Sequence, residues 1–248
     1  MNRKLNPEYV IETLKAFLKE QGVTKVVVGI SGGKDSTIVG KLMVECLGKE
    51  NVMGVLMPNG VQSDIDVSHK VVDYLGIPYI TVNINDSFSG LYGEMNSVLK
   101  EKGFEVTESS YINIAPRIRM TTLYAVAQSI GNGCRVAGTT NKSEEYIGWL
   151  TKWGDGACDF EPIVEYTVTE LRELGVSLGI PKEFVYKIPI DGLADGSDEE
   201  RIGFSYDQLD KYIATGTTGD VDIDEKIERM HAYSEHKRHL IPVCHYED

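Results

Sequence analysis

The sequence predicts an α/β protein, a doubly wound parallel sheet with helices on both faces. Three observations predict it. Apolar, β-branched runs recur along the first 140 residues, stretches of helical character separate them, and no long Ser/Gly/Pro linker divides the 248-residue chain. Strands and helices that alternate in this way are joined by right-handed crossovers. Ligands of such sheets bind beyond the carboxyl ends of the strands, near the point where strand order reverses.

The elements follow in order. MNRKLNPEYVIETLKAFLKEQG carries charged and apolar residues at helical spacing up to Gly22, and lacks the continuous apolar stretch of a signal peptide. KVVVGI (25–30) is an unbroken apolar run, as a strand buried on both faces requires. A helix is expected over about 36–48, then the strand NVMGVLMP (51–58), a helix over 64–76 and the strand PYITVNI (78–84). The 87–132 region reads as two helices, RVAGTT (135–140) as the fourth strand and 141–150 as a helix. After about residue 150 the composition turns to Gly, Asp and Pro with shorter helices at 168–179, 181–186, 206–214 and 222–235. The chain therefore reads as one domain over 1–248: a nucleotide-binding core at about 1–150 and a substrate-covering extension at about 151–248, packed over the sheet's carboxyl edge.

Composition narrows the function classes. The net charge of -13 argues against a broad nucleic-acid surface, and no run approaches the ~18 apolar residues of a membrane span. Cys46, Cys134, Cys158 and Cys244 are scattered without CxxC pairing, which fits reduced thiols and a cytoplasmic location.

The strand at 25–30 runs into SGGKDST. Gly32 and Gly33 let the chain turn tightly and bring backbone amides close to a ligand, and Ser36 and Thr37 are expected to open a helix. That helix's free N–H groups and positive dipole end favour an anion, with the hydroxyls of Ser31 and Ser36 as further donors. The stretch is neither a Walker A loop nor a G-x-G-x-x-G fingerprint, because the glycines and Lys34 stand at the wrong spacing. A Gly-rich turn ending in an Asp N-cap is the plainer reading of the same residues.

SGGKDS resembles the SGGxDS signature of the N-type ATP pyrophosphatases, which cleave ATP between the α- and β-phosphates. NIAPRIRMTTLY (113–124), GTTNKSEEYIGWLTKWGDGACDFEPI (138–163), SDEERIGFSYDQLDKYI (197–213) and EHKR (235–238) resemble, in order, the ammonia-dependent NAD synthetases. The resemblance implies an adenine-nucleotide α-hydrolase-like fold and the conversion of deamido-NAD, ATP and ammonia into NAD, AMP and pyrophosphate through an adenylylated carboxylate. It implies a homodimer, with no glutaminase domain and no nucleic-acid partner.

The resemblance also assigns residues. Gly29, Ile30, Ser31, Gly32, Gly33, Lys34, Asp35, Ser36 and Thr139 would bind ATP, and Asp35 and Glu144 would hold Mg2+, which takes oxygen ligands and often only one or two carboxylates besides substrate phosphates. Arg117, Lys152, Asp159, His236 and Lys237 would bind deamido-NAD. Asp155 would orient ammonia and accept its proton, acting with Ser31 and Lys152 at the catalytic centre. Arg117 and Arg119 point about 200° apart on a helix, so only one readily faces a cleft, and the resemblance selects Arg117.

Three positions depart from the family pattern. Val168 stands where a phosphate-binding lysine is common, Ile190 where a Ser or Thr is common, and Pro116 where alanine is common. The segment PIDGLADGSDEE (189–200) reads as a mobile loop able to close over ligands. A thiolating relative is disfavoured by the missing CxxC, and a GMP-forming one by the WLTKWGDG and EHKR segments. A nucleotide sensor without chemistry has no use for Glu144, Lys152 and Asp155 beside a phosphate loop.

Overall fold

The computed structural model describes residues 5–61, 65–187, 197–239 and 241–244. Four parallel strands form one sheet: β1 (Lys25–Gly29), β2 (Val52–Leu56), β3 (Tyr79–Thr81) and β4 (Cys134–Val136), in the order β3-β2-β1-β4. Val26 pairs with Val52 on one side of β1 and with Arg135 on the other, so strand order reverses at β1. The period of two divides the strand residues between two helical layers. Val26, Val28, Val52 and Leu56 pack with α1 (Pro7–Glu20), α2 (Lys34–Leu47) and α3 (Ile65–Leu75). Val27, Val55 and Val136 pack on the opposite face against Leu123 and Ala127 of a long helix, α6 (Ile114–Ile130).

The region expected to hold two helices holds three: α4 (Asn85–Glu101), α5 (Glu108–Ile112) and α6. Thr107 begins the extra one, its hydroxyl accepting from the Ser110 amide, and Asn113 ends it while starting α6. Pro116 falls in the first turn of α6, where a missing N–H breaks no helical bond. The strands are shorter than expected because pairing stops early. Just beyond β4 the Ala137 amide still donates to the Val27 carbonyl, and Ala137 bridges to Phe160.

The later helices are α7 (Lys142–Ile147), α8 (Val168–Ser177), α9 (Lys182–Val185), α10 (Asp198–Ile202), α11 (Tyr206–Thr215) and α12 (Val221–Tyr233), followed by a 3-10 turn at Glu235–Lys237. Leu171 and Leu174 of α8 belong to the same apolar core as β1, so burial continues across residue 150 without a break. A second cluster joins Ile147 of α7 to Ile202, Tyr206, Leu209 and Ile227, and fastens the later helices beside the sheet's carboxyl edge. Ile190 and most of the 189–200 segment lie outside the described residues.

Candidate functional site

A cleft of about 800 Å³ opens at the carboxyl ends of β1 and β4. Its walls include Gly29, Ile30, Ser31, Gly33, Lys34, Asp35 and Ser36 after β1, and Gly138, Thr139 and Thr140 after β4. The turn between β1 and α2 is held by its own serines. Ser31 Oγ lies 3.1 Å from Ser36 Oγ, and the amides of Ser31 and Gly33 donate to these two hydroxyls at 3.3 Å. Gly32 has φ +78°, and a Cβ there would stand 3.0 Å from the Ser68 amide nitrogen, so this residue turns the chain and packs on α3 instead of lining the cleft. The helix opens at Lys34, two residues earlier than the sequence suggests. Gly33 is its N-cap and supplies no side chain, which leaves first-turn amides open to the cleft. Asp35 is therefore within the first turn and not an N-cap.

Behind that turn lies a charged cluster. Lys34, nearly fully buried, donates to Asp35 Oδ2 at 2.8 Å and stands 5.8 Å from the centre of the Tyr206 ring. Burial alone would lower the Lys34 pKa, but Asp35 and Glu144 outweigh it and the pKa is raised. Glu144 moves well above the usual carboxylate range, first through burial and then through the Asp35 charge, against the pull of Lys34 and of the Asn141 amide. Two carboxylates beside one ammonium leave room for a further positive charge.

Glu144 reaches this point through a capping box. Asn141 Oδ1 accepts from the Glu144 amide at 3.0 Å, and Glu144 Oε2 accepts from the Asn141 amide at 3.2 Å. Asn141 Nδ2 also donates to Asp35 Oδ1 at 3.4 Å. Below, Ser143 Oγ donates to the buried Asp210 at 2.5 Å, while Asp210 Oδ2 accepts from the Thr169 amide at 2.8 Å. Val168 is fully buried at the start of α8, its amide donating to Ser143 Oγ, so this position presents an apolar side chain to the core and no cation to the cleft.

The other wall comes from the WLTKWGDGACD loop and the C-terminal segment. Asp155 lines the cleft, its Oδ1 accepting from the Thr151 amide at 3.0 Å, and enclosure by protein raises its pKa. Lys237 lines it too, and its Nζ donates at 2.7 Å to the carbonyls of both Gly148 and Leu150. Its pKa is lowered by burial, with Asp155 opposing. Lys152 Nζ donates to the His236 carbonyl at 2.6 Å, and Arg117 Nη2 contacts the Lys152 carbonyl at 3.4 Å. Lys152 and Lys237 thus tie the loop to the 236–237 segment through backbone carbonyls, and Arg117 ties it to α6.

The structure divides the expected site residues. Ser31, Lys34, Asp35, Thr139, Glu144, Asp155 and Lys237 meet in one cleft. Arg117, Lys152, Asp159 and His236 do not line it. Of the arginine pair, Arg119 faces the cleft, donating to the Met57 carbonyl at 3.2 Å, while Arg117 is exposed. Asp159 instead ties its segment to β4, its Oδ2 accepting from the Val136 amide at 2.8 Å and its own amide donating to the Val136 carbonyl. It borders a smaller hollow with Tyr124 and Arg135. Sequence reasoning missed Asn141, although the N-x-x-E spacing of a capping box was present, and it missed Tyr206, whose contact with Lys34 no local pattern encodes.

An anion cradle at the switch point of a parallel sheet, facing paired carboxylates, defines a nucleotide-using α/β enzyme. The chain belongs to the NAD synthase family, whose model matches residues 7–241. It is 37% identical to the NH(3)-dependent NAD(+) synthetase of Pyrococcus horikoshii over 260 aligned residues, covering 99% of this chain and 98% of that one. It is equally similar to the enzyme of the same description from Archaeoglobus fulgidus, 37% over 255 residues, with 100% and 99% covered. Among solved structures, NMN synthetase from Francisella tularensis superposes with a TM-score of 0.87 at 28% identity, covering 99% of this chain and 100% of that one. The NH3-dependent NAD synthetase of Campylobacter jejuni superposes with a TM-score of 0.76 at 25% identity and the same coverage.

Proposed function

We infer that this chain amidates deamido-NAD with ammonia at the expense of ATP, yielding NAD, AMP and pyrophosphate. The observation that carries the reading is the meeting, in one cleft, of the first-turn amides of α2 with Asp35 and Glu144, in a chain 37% identical to NH(3)-dependent NAD(+) synthetases. The nicotinate carboxylate attacks the α-phosphorus of ATP, the bond to the β-phosphate oxygen breaks, and pyrophosphate departs. The first-turn amides of residues 34–36 and the hydroxyls of Ser31 and Ser36 donate to the departing group. Lys34, already bound to Asp35, contributes charge more than a new hydrogen bond.

A hard divalent ion fits the donor set. Burial and the Asp35 charge raise the Glu144 pKa, and a cation held by the two carboxylates would offset the second of these. No group of three His, Cys, Asp or Glu able to hold a metal occurs among the described residues, so phosphate oxygens would complete the shell around Mg2+ held by Asp35 and Glu144. When bound, the ion offsets phosphate charge.

Ammonia then attacks the activated carbonyl, AMP leaves, and a proton must go. Asp155 is suited to accept it, because burial raises its pKa and it opens into the cleft. Lys152, Arg117, Asp159 and His236 would touch the part of deamido-NAD that extends beyond the described cleft walls, and the chain would act as a homodimer. No helix of the described residues is long and apolar enough to cross a membrane, which is compatible with a cytoplasmic enzyme.

A second reading, amidation of the mononucleotide, is favoured by the TM-score of 0.87 to an NMN synthetase. The test is incubation with Mg-ATP and ammonium and either the deamidated dinucleotide or the mononucleotide, each with and without glutamine. NAD formed with ammonium and not with glutamine alone supports the first reading. Turnover of the mononucleotide alone replaces it with the second, and ADP in place of AMP overturns both.

A further inference from the structure

Beside the cleft, and not lining it, stands a carboxyl group with no part in the steps above. Residues 159–161 run along the exit of β4: the Asp159 amide donates to the Val136 carbonyl and the Gly138 amide to the Phe160 carbonyl, both at 2.9 Å. The segment ends on Glu161, whose carboxyl lies flat against Gly138. A Cβ at 138 would overlap all three of its terminal atoms, so glycine is the residue that lets the carboxyl approach the backbone. Cys158 Sγ donates to Glu161 Oε1 at 3.2 Å, while Oε2 is buried without a partner. The hydroxyl and amide of Thr140 face the same carboxyl. Gly138, against which it leans, lines the cleft together with Thr139 and Thr140.

We propose that Glu161 is a positioning residue for the Gly138–Thr140 wall, setting from behind where that wall stands and therefore how ATP is held against it. The inference rests on the ATP reading of the cleft. An apolar side chain of similar length would fill the space but offer Cys158 no acceptor and Gly138 no flat carboxyl, so the wall would lose its reference point while the core stayed filled. The Cys158 thiol is itself pushed far up by burial, so it acts as a neutral donor to Glu161 and not as a nucleophile.

The experiment compares wild type, Glu161→Leu, Glu161→Gln and Gly138→Ala by steady-state kinetics with ATP and deamido-NAD varied separately, and by calorimetric titration of ATP. Glu161→Leu should raise KM and Kd for ATP about tenfold while kcat and the deamido-NAD KM stay within about threefold, about 1.4 kcal/mol confined to one substrate. Glu161→Gln keeps an acceptor and the same length, and should remain within about threefold of wild type. Gly138→Ala pushes on the same contact from the other side and should reproduce the ATP-selective loss, which tests the idea even if Glu161→Leu does not fold. Unchanged ATP affinity in both Glu161→Leu and Gly138→Ala, or a loss shared equally by both substrates and kcat, overturns the proposal. A wild-type protein that neither binds ATP nor forms product overturns the functional reading instead.

Discussion

Glu161→Gln should make this protein more stable at pH 8 and leave it nearly unchanged at pH 5. Burial pushes the Glu161 carboxyl from 4.5 up to about 7, with Cys158 and Thr140 pulling the other way and Asp155 adding to the rise. A carboxyl with a raised folded-state pKa binds its proton more tightly when folded than when unfolded. Its cost is therefore absent below about pH 4.5, grows as pH rises to about 7, and is constant above. At about 1.4 kcal/mol for each tenfold step, the interval from 4.5 to 7 sets a ceiling of about 3 kcal/mol. The side chain is only half-buried as a whole, and water reaching it reduces this to about 2 kcal/mol. Glutamine retains the acceptor for Cys158 and stays neutral at every pH, so the cost of an unpaired second atom cancels when one variant is compared across pH. Urea unfolding of both proteins at pH 5 and pH 8, followed by circular dichroism, measures the difference. A stability gap between the two proteins that is the same at both pH values refutes the reasoning, because it means the carboxyl does not change protonation against the buried wall.

Three further outcomes follow from the same geometry. Asp155→Asn should lower kcat about 10²- to 10⁴-fold with ATP affinity within about threefold, read by product formation and calorimetry, since only proton acceptance is removed. Lys237→Met leaves the carbonyls of Gly148 and Leu150 without their shared donor and should cost about 2 to 3 kcal/mol in denaturant unfolding, with loss of turnover because the same loop carries Asp155. Asp210→Leu strands Ser143 and the Thr169 amide beneath α7, which carries Glu144, and should cost about 3 kcal/mol, with a raised Mg2+ requirement measured by magnesium titration of ATP binding.

What was legible in the sequence followed from local chemistry. KVVVGI reads as an interior strand, and the two glycines that follow it as a tight turn, so the sheet and the loop after β1 could be read from the chain. α5 was hidden because Thr107 caps only five residues, too few for a hydrophobic period to show. Arg117 and Arg119 could be told to diverge, but which one enters the cleft depends on how α6 packs against Met57, a tertiary fact. Lys152 was recognisable as a cation in a glycine-bearing loop, and Lys237 as one of a C-terminal basic group. Their engagement with carbonyls 84 to 89 residues away could not be anticipated from spacing. Glu161 was invisible as a site because its role arises where two chain segments, at 138–140 and 158–161, are zipped together.

In the proposed reaction pyrophosphate leaves into the turn that follows β1. The direct measurement is a crystal structure of the protein with Mg2+ and pyrophosphate, or with a slowly cleaved ATP analogue. The diphosphate should lie on the amides of residues 34–36 with the ion between Asp35 and Glu144, whereas a diphosphate bound elsewhere with that turn empty contradicts the mechanism.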